Sequence, residues 1–181
     1  MARTIEEIPP TDSPPTDSPS IVRPPIVRPP IVRFYQAVAG VDLFKLIAGL
    51  AAKALERGMR LDVVTSNPEQ AHFLDQFLWR YPDDSFLPHG LDNEPDPERQ
   101  PLLIGTAPQD QNGATVLIVA NSRPVDNPGQ FDLVIDFAHD KSHVDQEIHL
   151  ASRQRYSHYQ KLGCTMEYWV QKSSGGWERK A

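Results

Sequence analysis

Two kinds of apolar spacing alternate along residues 31–172, and their alternation sets the fold class. "IVRFYQAV" (31–38) and "MRLDVVTS" (59–66) have strand composition, and "PLLIG" (101–105) is a shorter run of the same kind. "ATVLIVANS" (114–122) and "FDLVIDFA" (131–138) are continuously apolar, as strands covered on both faces must be. Between them the spacing changes to three and four. Val41, Leu43, Phe44, Ile47, Leu50, Ala51, Ala54 and Leu55 mark a helix, and Gly58 stands where a C-terminal cap glycine belongs. Asn67, Pro68 and Gln70 form a helix-start signature, and the helix they open is expected to run to about Arg80. A last helix is expected over 145–162, followed by a strand at "MEYWVQK" (166–172), while "SSGGWERKA" (173–181) is expected to fray. Strands alternating with helices predict an α/β domain: a mostly parallel, twisted sheet with helices on both faces, over residues 31–172.

The segment before it obeys neither spacing. Residues 9–33 hold "PPTDS" twice and then "IVRPPIVRPPIVR", with nine of the chain's 18 prolines. Proline removes backbone donors and pushes its predecessor toward extended backbone, so residues 1–30 are expected to form a disordered, Pro-rich repeat arm.

Charge divides the domain. The net charge of −6 at pH 7 comes from residues 34–150, where eight basic residues face eighteen acidic ones. Residues 151–181 carry Arg153, Arg155, Lys161, Lys172, Arg179 and Lys180 against Glu167 and Glu178. An acidic body repels nucleic acid, whereas the basic end can attract a small anionic partner. No apolar run approaches the roughly 20 residues of a membrane span. A single cysteine, Cys164, excludes an internal disulfide and a Cys-rich zinc cage, and a cytoplasmic setting is expected.

A parallel α/β sheet raises the question of nucleotide or acyl chemistry. The chain has no G-x-x-x-x-G-K-[ST] loop, no G-x-G-x-x-G after the first strand and no G-x-S-x-G elbow. "HDKSH" (139–143) spaces two histidines by four, with Asp140, Asp145 and His149 near, but it falls at a strand-to-helix junction where helical spacing does not hold, so no metal is expected. Asp136, near the carboxyl end of its strand, lies where α/β catalytic residues are found. With His139 it supports one alternative, an enzyme acting on a nucleotide or small acid. Nothing assembles a nucleophile, a base and an anion hole, so neither catalysis nor a cofactor is expected.

The stretch "FLDQFLWRYPDDSFLPHG" (73–90) breaks the apolar pattern. With Leu74 at the centre of its helix face, Ala71, Phe77 and Leu78 lie within about 60° and form the core stripe, whereas Trp79 lies about 140° away. Phe86, Leu87 and Pro88 then follow in a loop. Either the helix end folds Trp79 back onto the core, or Trp79 joins Phe86, Leu87 and Pro88 in an exposed docking patch.

These residues resemble the chi subunit family of bacterial DNA polymerase III. The family pairs a Leu-Asp-x-x-Leu-Trp helix end with a Ser-Phe-hydrophobic-Pro-His loop, and Leu74, Asp75, Leu78, Trp79, Ser85, Phe86, Leu87, Pro88 and His89 match it. The likeness extends over about residues 33–169, through "RFYQ", "GMRLDVV", "TVLIVANS", "LVIDF" and "SRQRYSHYQKLG". It implies a noncatalytic clamp-loader accessory protein with nucleotide-binding-like topology but no phosphate loop. It further implies two protein partners, a psi subunit and the acidic C-terminal tail of single-stranded DNA-binding protein (SSB), with no direct nucleic-acid or membrane contact. Trp79 and Phe86, framed by Leu87 and Pro88, would take the psi-type partner, and a repair helicase could compete for the same patch.

On the last helix, His149, Arg153, Tyr156, Ser157 and Gln160 share one face, while Ile148, Ala151, Tyr159 and Leu162 are expected to point to the core. Arg155 falls on the core side, where it would pair with a carboxylate or snorkel outward. The resemblance places Arg153 and Tyr156 in the SSB-tail pocket, with Ala138 as a small wall. Ser157 stands where the family commonly has Lys, so Lys161 or Lys172 would have to compensate, with help from His149 below about pH 6.5.

Overall fold

The computed structural model describes residues 29–81, 86–139 and 146–180. The repeat arm up to residue 28, and Asp140, His143 and Asp145 of the histidine-rich loop, lie outside the described residues. Among those described, eight strands form one sheet: β1 (Ile31–Gln36), β2 (Leu61–Thr65), β3 (His89–Leu91), β4 (Leu102–Gly105), β5 (Val116–Ala120), β6 (Leu133–Ala138), β7 (Thr165–Gln171) and β8 (Trp177–Arg179). Their order is β3-β4-β2-β5-β6-β1-β7-β8, and every described pairing is parallel except the antiparallel β7–β8 ladder.

Three helices cover this sheet: α1 (Leu43–Leu55), α2 (Pro68–Leu78) and α3 (Gln146–Lys161). The expected start signals act locally. Asp42 caps α1 by accepting from the Phe44 N–H at 2.8 Å, and Asn67 caps α2 by accepting from the Gln70 N–H at 2.8 Å. Gln70 reaches back to the Ser66 N–H at 2.7 Å, one residue earlier than a standard capping box requires. Gly58 turns α1 toward β2 at φ +73°, a left-handed conformation that a side chain would oppose.

α1 and α2 cover one face. Ile47, Ala48 and Ala51 from α1 and Ala71, Leu74 and Leu78 from α2 meet Leu61, Val63, Ile104, Ile118 and Phe137 of the sheet in one apolar cluster. The other face carries Val32, Phe34, Leu117, Val119 and Val134 under Tyr159 of α3. The two-sided cover explains the continuous apolar runs of β2 and β5, which are buried at every residue.

Three expectations are corrected. Residues 173–181 do not simply fray, because Trp177–Arg179 form β8. Gly175 and Gly176, at φ +84° and +79°, reverse the chain as a hairpin requires, and the Trp177 ring then meets Tyr35 at 4.7 Å while Arg179 reaches Glu167 at 3.2 Å. Ile148 and Leu162 are 44% and 48% exposed instead of buried in the core, since Ile148 sits in the first turn of α3 and Leu162 just past its last residue, beyond the buried Ser152, Arg155 and Tyr159. Lys172 lies just past β7 at the hairpin, not on the strand.

One buried charge works against the fold. Asp62 of β2 has no exposed surface; its Oδ2 accepts the Gln109 N–H at 2.5 Å and its Oδ1 has no partner. Burial pushes its carboxyl up to about 7, helped by Asp92 and opposed by the Gln109 hydrogen bond. The folded chain therefore holds a proton there that the unfolded chain releases near pH 4, and stability falls as pH rises from about 4 to about 7. Asp62→Asn keeps an acceptor for Gln109 and removes the charge. It should stabilise the protein by about 1–3 kcal/mol above pH 7, with the advantage shrinking toward pH 4. Denaturant titrations from pH 4 to 8 test this, and a variant less stable than the parent at pH 8 contradicts it.

Candidate functional site

The end of α2 presents aromatic surface to solvent. Trp79 forms the C-cap of α2 and is 60% exposed, and Phe86, across the loop, is 69% exposed. Their ring centroids lie 5.6 Å apart, so the pair forms one apolar platform. Of the four residues expected there, Leu87 is a correction: it is buried in the α1/α2 core, where its side chain fastens the loop, and Pro88 is partly buried. Exposed aromatics therefore sit on a segment anchored immediately beneath them.

His89 connects the two halves of this platform. Its side chain is fully buried, with the Trp79 ring 5.0 Å away. Nδ1 lies 2.6 Å from the Leu87 carbonyl, and Nε2 lies 3.2 Å from the Asp75 carbonyl and 3.3 Å from Asp75 Oδ1. One ring thus ties the loop to the last turn of α2, and every polar atom it faces is an acceptor. The histidine belonged to the matched motif, but its role as a tie depends on a contact across fourteen residues that spacing does not reveal.

The second concavity lies on the opposite sheet face, beside α3. It encloses about 370 Å³, and His149, Arg153, Tyr156 and Ser157 of α3 line it with Ala138 of β6. The helical phase assigned from sequence thus brings the four α3 residues together with Gln160, and the strand residue Ala138, which the resemblance supplied, lies beside them. Lys161 is exposed and does not line the pocket. Phe34 of β1 and Tyr168 of β7 supply an aromatic floor: Tyr156 meets Phe34 edge-on at 5.2 Å and Tyr168 at 6.4 Å. Phe34 and Tyr168 are paired across adjacent parallel strands, a neighbourhood that no single stretch of sequence displays.

His139 also lines the pocket, and its backbone carbonyl lies 2.8 Å from His149 Nδ1. Burial, then the Arg155 guanidinium and His149, hold the His139 imidazole below its ordinary range, so it is neutral at pH 7. Among the described residues lining this pocket, Arg153 is the permanent cation. A guanidinium above a flat aromatic floor suits a carboxylate attached to an apolar group.

Asp136 has a different job. Arg155 Nε lies 3.0 Å from both of its oxygens and Nη2 lies 2.9 Å from Oδ1, while Asp136 also accepts the Phe137 N–H at 2.6 Å. Arg155 donates further to the carbonyls of Phe137 and Ser122 at 3.0 and 3.2 Å. Asp136 has no exposed surface, so the pairing of Asp136 with His139 as catalytic groups is withdrawn in favour of an internal ion pair. Of the two alternatives for Arg155, pairing holds and snorkelling does not. Among the described residues, no three His, Cys, Asp or Glu groups converge to hold a metal ion, and no helix is long and apolar enough to cross a membrane. Cys164 is buried, and burial pushes its thiol up, away from the reactive thiolate.

Comparison with known proteins accords with this arrangement. Residues 30–167 match the family described as DNA polymerase III chi subunit, HolC. Among curated relatives, the probable DNA polymerase III subunit chi of Rickettsia prowazekii (strain Madrid E) is 32% identical over 75 residues, covering 41% of this chain and 46% of the relative. The DNA polymerase III subunit chi of Escherichia coli (strain K12) is 29% identical over 121 residues, covering 66% of this chain and 79% of the relative. Apart from Tyr168, both candidate surfaces fall inside the matched region, and with well over half of its length matched the chain belongs to the DNA polymerase III chi subunit family, a family of replication accessory proteins.

Proposed function

We propose that this chain couples a clamp-loader assembly to SSB, holding a psi-type partner at the Trp79–Phe86 platform and the acidic C-terminal tail of SSB in the Arg153–Tyr156 pocket. The observation that carries the reading is the pair of exposed, preformed recognition features on opposite faces of one sheet. An aromatic platform on an anchored loop suits a protein partner, because Trp and Phe supply much of the energy at interface centres. A cationic, aromatic-floored pocket suits a peptide that ends in acids, an aromatic ring and a free carboxylate. The role operates in the cytoplasm and needs neither cofactor nor metal. A repair helicase would compete with the psi-type partner for the same platform.

Phe86→Ala and Trp79→Ala should each weaken the complex with the psi-type partner about 30-fold, or about 2 kcal/mol, while leaving the isolated chain folded. Calorimetric titration with circular dichroism of each variant measures both. An unfolded Phe86→Ala chain would show that the residue is core.

Arg153→Ala should remove most of the affinity for a labelled acidic peptide ending in phenylalanine with a free carboxylate. Binding by the unmodified chain should also weaken with added salt, because exposed charges are screened over roughly 8 Å at physiological ionic strength. Equal affinity of Arg153→Ala and the parent rules the pocket out.

The repeat arm is assigned no part in either contact. A chain starting at Ile31 should keep its melting temperature and both partners; loss of either partner on truncation would place binding residues in the arm.

A further inference from the structure

The family match ends at residue 167, yet the sheet continues for another strand past β7. β8 pairs with β7 so that Arg179 lies opposite Trp169 and Glu178 opposite Val170. The Lys180 N–H donates to the Tyr168 carbonyl at 2.8 Å, which carries the same register one step further and sets Lys180 opposite Tyr168. Opposed residues of an antiparallel pair project from the same face of the sheet, roughly 5 Å apart. Tyr168 lies opposite Phe34 in turn. A row therefore runs across three adjacent strands on the α3 face: Phe34, Tyr168, Lys180. Its first two members are the floor of the Arg153 pocket, and its third is a lysine at the floor's outer end.

Lys180 Nζ lies 3.0 Å from Glu178 Oε2, with both side chains about half exposed. Lys180, and then Lys172 at the hairpin, hold the Glu178 carboxyl below its usual range. Arg179 points to the opposite face, where it meets Glu167. So, among the described residues, the rim beyond Tyr168 carries Lys180 and Lys172 with the Glu178 carboxylate, which occupies Lys180.

We propose that β8 belongs to the peptide site: Lys180 is a second cationic contact at the pocket's outer rim, across the aromatic floor from Arg153, and Glu178 is its resident counter-ion, displaced by an incoming carboxylate. This rests on the tail-binding reading of the pocket. It assigns to a strand outside the family match the charge that Ser157 does not provide, and it selects peptides with several consecutive acids over those with a lone terminal carboxylate. Exposed ion pairs contribute little each, so the exchange of one partner for another is accessible at modest cost.

The two residues must act with opposite sign, which separates this from a structural role for the strand. With the full chain and a labelled Asp-Asp-Asp-Asp-Pro-Phe peptide bearing a free carboxylate, anisotropy at low salt should show Lys180→Gln weakening binding about two- to fivefold. Glu178→Gln should tighten it about two- to threefold, and Lys180→Glu should weaken it about tenfold. A peptide with serines in place of the aspartates should be insensitive to both positions. Melting temperatures of the variants should stay near the parent's, since both side chains are exposed. If Arg153→Ala removes binding while Lys180→Gln and Glu178→Gln leave it unchanged, the inference falls and the pocket stands. If the unmodified chain does not bind the peptide, both fall.

Discussion

α3 lies on the sheet through a charge, and the pocket exists because of it. The helix is poor in apolar residues on its inner side: Ser152, Arg155 and Tyr159 are what it buries. Arg155 crosses to Asp136 on β6 and to carbonyls at the ends of β5 and β6, while the Tyr159 hydroxyl accepts the Val125 N–H at 3.1 Å. A buried ion pair adds little net stability, because desolvating two charges cancels much of their attraction. Its value here is geometric. A hydrophobic stripe would let a helix slide or rotate by a fraction of a turn, whereas a guanidinium with a carboxylate and two carbonyls to satisfy has one solution. With Arg155 fixed inward, Arg153 and Tyr156 are fixed outward over Phe34 and Tyr168.

The other face uses the same logic with a different side chain. His89 is a buried polar group whose partners belong to separate segments, and Leu87 is the apolar anchor beside it. Between them they hold Phe86 and Trp79 in contact without burying either. Each surface thus depends on a buried polar residue beneath it, His89 under the platform and Arg155 under the pocket.

Much of this was legible in the sequence. Runs such as "LDVVT" and "VLIVA" announced strands covered on both faces, and capping residues at Asp42 and Asn67 fixed where helices begin. The phase of α3 put Arg155 inward and Arg153 outward. It fails for Ile148 and Leu162 although both lie within about 20° of Arg155 on the wheel, because they sit at the two ends of α3, where that side of the helix is exposed. β3 and β8 were missed because each has three residues, too few for an alternation to register. In β8 the glycine pair that reads as a loose tail also reverses a hairpin. Leu87 was read with its exposed neighbours because a loop has no period from which to tell inward from outward. Phe34 and Tyr168 join the pocket through parallel strand register, which couples residues more than a hundred positions apart, and His139 joins it from the position just past β6.

The placement of the two surfaces on opposite sides of a rigid sheet has a consequence for how weak either may be. They share no residue, so the two contacts do not compete for the same side chains. Under the proposed assignment, an assembly anchored through the aromatic platform carries its peptide pocket along at a fixed offset, and many SSB tails lie within reach wherever that protein coats a strand. Capture then depends on local concentration, in the millimolar range for short flexible tethers, more than on the intrinsic strength of one peptide contact. On that reading a pocket with a guanidinium and a rim lysine suits that regime: each tail would let go quickly with the next at hand, and the assembly would stay on a moving template without being locked to any point along it.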